Sequence, residues 1–158
     1  MYLMTMNMTS KRIGYEVMEL VNYCGPVGIE TEQDTNSTDM RYVIKLSLND
    51  LAIRIVFNNR YPFSPPYNIN VNNKDYIKIV RQSITKFSQI GIEQNFPKCF
   101  CCESFTCADR WGPSVGLVKL CGEIKDVVLK KQLIMHIWFC RRIASEKLTY
   151  DIPLENYL

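Results

Sequence analysis

The chain has 158 residues, 47% of them hydrophobic and 22% charged, with 19 basic and 16 acidic side chains and a net charge of +3. That is enough chain to bury a core unaided, and it is too apolar for disorder. There is no basic stripe beyond Lys130-Lys131 and Arg141-Arg142, and the longest apolar run, Leu133 to Cys140, is far too short for a membrane span, so neither nucleic acid nor membrane is an expected partner.

Residues 1–8 are Met-rich and carry neither a period nor a signal-peptide core, so they read as a flexible leader of a cytoplasmic protein. Ser10 stands where an N-cap belongs, and Ile13, Val17, Leu20 and Val21 follow at helical spacing, which predicts a helix over about 11–22. Cys24-Gly25-Pro26 ends it, and a polar loop is expected to about Asp39. From Arg41 the period becomes two: Tyr42, Ile44 and Leu46, then Ile53, Ile55 and Phe57, make a hairpin about Asn49-Asp50. The prolines of Tyr61-Pro62-Phe63-Ser64-Pro65-Pro66 impose a stiff extended connector. A third strand over 67–71 completes a meander.

Asn73 is placed to cap a helix carrying Ile77, Val80, Ile84 and Phe87 and ending near Gly91. Residues 92–111 have no period. Gly112 and Pro113 suit the Ncap and N1 of a further helix whose core face is Leu117, Leu120, Cys121, Ile124 and Val128. Helical character, continuous or broken, extends to about Glu146. The reading is one α+β domain over 1–158, with an N-terminal helix, an antiparallel meander sheet, an irregular segment that holds the cysteines, and C-terminal helices.

The cysteines carry the chemical interest. There are seven, and Cys99, Cys101, Cys102 and Cys107 fall within nine residues. In a reducing compartment such clusters serve catalysis or metal binding more often than bridging. Histidine occurs once, as His136 within an apolar helical stretch, and mechanisms that need two histidines are excluded.

Four local patterns resemble the ubiquitin-conjugating enzymes. Lys11-Arg12-Ile13 with Glu16-Val17 and Leu20 is similar to that family's first helix, and Gly25-Pro26-Val27-Gly28 to the segment leading into its first strand. Tyr61-Pro62-Phe63-Ser64-Pro65-Pro66 resembles its Y-P-F-x-P-P element. Trp111-Gly112-Pro113-Ser114, with Leu117, Leu120, Cys121 and Ile124 behind it, resembles the W-x-P-[AS] start of the helix after the active site. The four lie in family order and cover about residues 11–71 and 95–126. Departures are equally plain: the H-P-N signature, the acidic Pro-rich gate and the long loop between the first two strands are absent, and the helix near 74–90 has no counterpart.

The resemblance implies a UBC-like fold that carries ubiquitin, or a ubiquitin-like protein, as a cysteine thioester and passes it to a lysine, with an activating enzyme and a ligase as partners. A thiolate suits this chemistry because it is both a good nucleophile and a good leaving group. Two cysteines compete for the role. Cys102 lies nine residues before Trp111 and seven after Asn95, near the family's spacing of about eight for each. Cys101 follows Phe100, which resembles the family's buried residue, and Cys102-Glu103-Ser104-Phe105 then resembles its L-D-I-L. Asn95 is the residue to carry over as oxyanion donor, with an ordinary turn asparagine as the alternative. The resemblance places partner contacts at Lys11, Arg12, Phe63, Pro113 and Ser114.

Two other readings stand beside it. One is a catalytically inactive variant that binds ubiquitin or partners. The other is zinc on Cys99, Cys101, Cys102 and Cys107, although structural zinc normally draws its ligands from two separated knuckles; no cofactor is otherwise expected.

Overall fold

A computed structural model describes residues 8–33, 40–81, 88–97 and 100–145. The order is α1 (Met8–Cys24), β1 (Val27–Gln33), β2 (Met40–Leu48), β3 (Leu51–Phe57), β4 (Asn68–Val71), β5 (Lys74–Asp75), α2 (Tyr76–Arg81), α3 (Ser88–Glu93), α4 (Phe100–Glu103) and α5 (Leu117–Ala144). The five strands form one antiparallel sheet in the order β1-β2-β3-β4-β5. The fold is therefore α+β, as expected, with a wider sheet than the three strands read from the sequence.

Two hairpins set the register. Leu48 pairs with Leu51 across Asn49-Asp50, and Val71 pairs with Lys74 across Asn72-Asn73. All four turn residues have φ between 49° and 64°, the left-handed conformation that two-residue hairpins require and that Asn and Asp tolerate. The Asn72 side chain accepts from the Ala52 N–H at 2.9 Å, while its own N–H donates to the Ala52 carbonyl at 2.8 Å. Asn73 is thus a turn residue and not a helix cap. The cap of α2 is Asp75, whose carboxylate accepts from the Ile77 N–H at 2.9 Å. Of the helix expected from about 74 to 90, the first two residues form β5 instead and α2 and α3 are helical as expected; residues 82–87, with Ile84 and Phe87, lie outside the described residues.

β1 was expected as loop. Only its first residue is even half-buried, so no apolar alternation marks it, and its pairing with β2 is the main support for the strand. Its acidic residues face basic partners across the sheet, with Lys45 to Glu30 at 2.7 Å and Arg54 to Glu32 at 2.7 Å. Charge on an edge strand also discourages pairing with a foreign strand.

The helices pack one face of the sheet. Ile13, Val17 and Leu20 of α1 and Leu117, Leu120, Cys121, Ile124 and Val127 of α5 share one buried cluster with Ile44, Leu46, Ile53, Ile55, Ile69 and Val71 of the strands. Helix α1 starts earlier than Ser10 would place it: Thr9 is inside it, and its hydroxyl is directed at the carbonyls of Asn59 and Tyr61, at 3.0 and 2.9 Å. Gly25 ends the helix as expected, with φ +90° and its N–H donating to the Val21 carbonyl at 3.0 Å. Helix α5 starts at Leu117, later than Gly112-Pro113 suggested, because Gly112 instead accepts from the Val115 N–H in a turn, at 2.9 Å. Once begun, it runs unbroken for 28 residues. No helix among the described residues is long and apolar enough to cross a membrane.

Candidate functional site

Three chain segments remote in sequence meet around one buried carboxylate. Glu16, 1% exposed, accepts from the Tyr61 hydroxyl, from the Arg12 guanidinium and from the Leu117 N–H, the last at 3.1 Å. Leu117 opens α5, whose Ncap, Gly116, has no side chain to offer, so Glu16 caps that helix from across the fold. A carboxylate at a helix N-terminus is favoured by both the free N–H and the helix dipole. Burial, then the neighbouring Glu16, pushes the Tyr61 phenol well above its ordinary range.

The same network joins two loops. Trp111 Nε1 donates to the Pro62 carbonyl at 2.8 Å, and Arg12 Nη2 donates to the Pro113 carbonyl at 3.1 Å. Tyr61 lies edge-on to Phe57, with ring centroids at 4.6 Å, and 5.9 Å from Trp111. The Tyr61-Pro62 bond is cis. Phe63 is left 72% exposed at the tip of its loop. Arg12, the 61–66 loop and the 111–114 loop are thus held together, with Lys11, Pro113 and Ser114 exposed. The sequence did not single out Tyr15 and Met18, which stand 68% and 69% exposed on α1. Their spacing from Lys11, four and then three residues, was the available signal.

The cysteines lie on and after α4. Phe100 is 4% exposed and anchors that short helix in the core. Cys101 is half-buried and disulfide-bonded, which corrects the expectation of free thiols throughout the cluster. Cys102 is a free, exposed cysteine whose Sγ is 3.8 Å from that of Cys101. The two cysteines therefore differ in exposure and in bonding state. Cys99 lies outside the described residues. Among the described residues, no group of three or more His, Cys, Asp or Glu is placed to hold a metal ion.

A second buried polar knot fixes the chain after α4. Glu123 of α5 accepts from the Ser104 hydroxyl at 2.6 Å, from the Phe105 N–H at 2.6 Å and from the Tyr76 hydroxyl at 2.8 Å. Ser104 is 2% exposed, so these bonds satisfy a polar group that would otherwise be costly to bury. Burial, then the Glu123 charge, raises the Tyr76 phenol far above its normal range. Beside α4 is a cavity of about 350 Å³ whose walls include Phe100, Glu103, Phe105, Asp126 and Lys130.

Asn95 has a backbone role. Its φ is +54°, its N–H donates to the Ile92 carbonyl at 3.1 Å, and the Phe96 N–H donates to the Gly91 carbonyl at 2.8 Å. This is the Schellman ending of α3, with Asn95 as its left-handed residue. The helix therefore ends beyond Gly91, the stop expected from the sequence. The asparagine is exposed. His136 is exposed on α5, and Cys121 is wholly buried, its thiol pushed up to about 12 by burial.

Comparison with protein-family models, with curated proteins and with solved structures gave no match.

Proposed function

We propose that this chain is a divergent UBC-like protein that accepts ubiquitin, or a ubiquitin-like protein, as a thioester on Cys102 and passes it to an amine. The observation that carries the reading is that Cys102 is an exposed free thiol on a short helix whose two flanks, Phe100 and Ser104, are both buried. A thiol held this way meets a large protein substrate without moving the core.

In the charging step the Cys102 thiolate attacks the carbonyl carbon of the modifier's thioester with its activating enzyme, and that enzyme's thiolate leaves. In the discharge step a neutral amine attacks the new thioester, an amide bond forms, and the Cys102 thiolate departs. The amine's surplus proton passes to solvent or to a nearby carboxylate; Glu103, next in the chain, also lines the cavity beside α4. Lys11, Arg12, Phe63, Pro113 and Ser114 form the docking surface for the activating enzyme and a ligase. An exposed aromatic supported by a rigid Pro-rich loop suits a small transient interface.

The test is incubation with activating enzyme, ATP and modifier, read on a non-reducing gel, for wild type, Cys101→Ala and Cys102→Ala. The expected result is a reductant-sensitive adduct in wild type and Cys101→Ala that is missing in Cys102→Ala. Absence of the adduct in folded wild type, across ubiquitin and its relatives, refutes the reading. A non-catalytic binding module is the second reading, favoured by one observation: Asn95, the oxyanion donor that the resemblance offers, already serves as the left-handed residue that terminates α3. That reading predicts modifier binding by titration with no adduct formed.

A further inference from the structure

Cys101 and Cys102 are neighbours on α4 in different chemical states. Cys101 is half-buried against the core and disulfide-bonded, whereas Cys102 is exposed and free. Their sulfurs lie 3.8 Å apart, and among the described residues Cys101 is the one hydrogen-bond partner of the Cys102 sulfur. A disulfide sulfur carries no hydrogen, so in this contact the Cys102 thiol donates and Cys101 accepts. Cys102 thus has its proton engaged and receives no hydrogen bond that would support a thiolate, the nucleophilic form. The adjoining charge in the chain, Glu103, is an anion and offers a thiolate no support either.

We propose that Cys101 is a redox-controlled activator of Cys102: reduction of its disulfide turns this hydrogen bond round, so that the Cys101 S–H donates to the Cys102 thiolate and makes Cys102 more reactive at neutral pH. A dithiol reductant supplies the step. One of its thiolates attacks the Cys101 disulfide to give a mixed disulfide, and its second thiolate then displaces the protein sulfur. The reductant leaves as a disulfide, and two electrons and two protons pass to Cys101 and its former partner. Cys101 then has a hydrogen to give. A hydrogen bond to a charged acceptor is stronger than one to a neutral acceptor, so the Cys102 thiolate gains more from this donor than the Cys102 thiol does.

Direct exchange between the two sulfurs does not compete with this step. Consecutive Cα atoms stand about 3.8 Å apart, short of the roughly 4.4–6.8 Å that a disulfide usually spans. A Cys101–Cys102 bond would therefore distort α4, which is why a free thiol persists beside a disulfide. Burial divides the roles in the same way: exposed Cys102 meets a large substrate, and half-buried Cys101 supports it from behind. As regulation of thioester formation the inference rests on the function proposed above, but the intrinsic reactivity of Cys102 does not, so the two are tested separately.

The experiment is the rate of alkylation of Cys102 by iodoacetamide, located by peptide mass spectrometry. It compares the oxidised chain, the chain reduced with a phosphine and then desalted, and the variants Cys101→Ser and Cys101→Ala. At pH 7 the reduced chain and Cys101→Ser, which have a donor, should label Cys102 about threefold faster than the oxidised chain and Cys101→Ala, which have none. Roughly tenfold more thiolate gives only about that gain, because a stabilised thiolate is a weaker nucleophile. At pH 10, above the ordinary thiol range, the advantage should vanish. Equal rates in the two redox states at pH 7 overturn the proposal. So does a fast Cys101→Ala, or an advantage that persists at pH 10, since either assigns the effect to a loosened α4. Should the variants not fold, the two redox states at the two pH values decide alone. If Cys102 labels as expected but neither state forms the adduct with activating enzyme, ATP and modifier, the proposed function fails and the control of Cys102 by Cys101 stands.

Discussion

Removing the Tyr61 hydroxyl tests the account of the buried carboxylate directly. In Tyr61→Phe the ring keeps its packing on Phe57 and Trp111, and Glu16 keeps Arg12 and the Leu117 N–H. What is lost is one buried hydrogen bond to a charged group, worth about 1.5–3 kcal/mol. Glu16→Ala removes the shared acceptor, strands the Tyr61 hydroxyl and the Leu117 N–H, and leaves a void. Its expected cost is about 3–5 kcal/mol, a large part of the 5–15 kcal/mol typical of a folded domain. The assay is urea unfolding at neutral pH, with the slope checked for constancy across variants. In the Glu16→Ala background Tyr61→Phe should cost almost nothing, because its partner is already gone. The double-mutant cycle should therefore show a coupling of at least about 1 kcal/mol. A Tyr61→Phe loss below about 0.5 kcal/mol, or a coupling near zero, would refute the claim that Glu16 is the acceptor that binds these segments together.

Three further outcomes are expected. Asn95→Gly keeps the left-handed end of α3, so the unfolding midpoint should hold; if the amide also steadies the oxyanion, discharge of the thioester should slow by about 10²–10³ while charging persists, and unchanged discharge would leave Asn95 as a helix terminus only. Phe63→Ala, at an exposed loop tip, should alter stability by less than about 0.5 kcal/mol and lower the rate of charging or of ligase-dependent discharge; unaltered rates would remove Phe63 from the docking surface. Burial lowers the Lys131 ammonium to about 8, against about 10.4 in an unfolded chain, so above about pH 8 the unfolded state holds the extra proton and stability rises with pH. From about pH 9 the buried Cys121 and Cys24 thiols, both raised by burial, act in the opposite sense. The urea midpoint should climb from pH 8 to 9 and then level off, and Lys131→Met should abolish the climb; an identical profile in that variant would contradict the assignment.

The parts legible in the sequence are those where burial imposes a period. Ile13, Val17 and Leu20, the alternation of β2 and β3, and the core face of α5 all follow from apolar spacing alone. The failures come where backbone bonding decides. β1 shows no alternation because nearly all of its side chains face water, so its ladder with β2 left no trace in the residues. Asn73 looks like a helix cap but adopts positive φ in a hairpin turn, and composition cannot say which of its several uses an asparagine serves. Gly112-Pro113 carries a strong helix-start signal, yet the first helical N–H to find an acceptor is that of Leu117, since the carboxylate that receives it comes from α1. Of the candidate site, Arg12 and the 61–66 and 111–114 loops were grouped by the sequence and are joined in the structure, whereas the difference between Cys101 and Cys102 depends on a disulfide that spacing does not encode.

The first two turns of α5 have a mechanical consequence. Leu117 is bonded to Glu16 at one end of this stretch, and Glu123, roughly 9 Å along the axis, grips Ser104 and Phe105 just past the exposed thiol. A stiff rod pinned at both points cannot shift at one without loading the other. A displacement of Arg12 and the loops it is bonded to therefore loads the segment that carries Cys102, with no moving part between them except the helix itself.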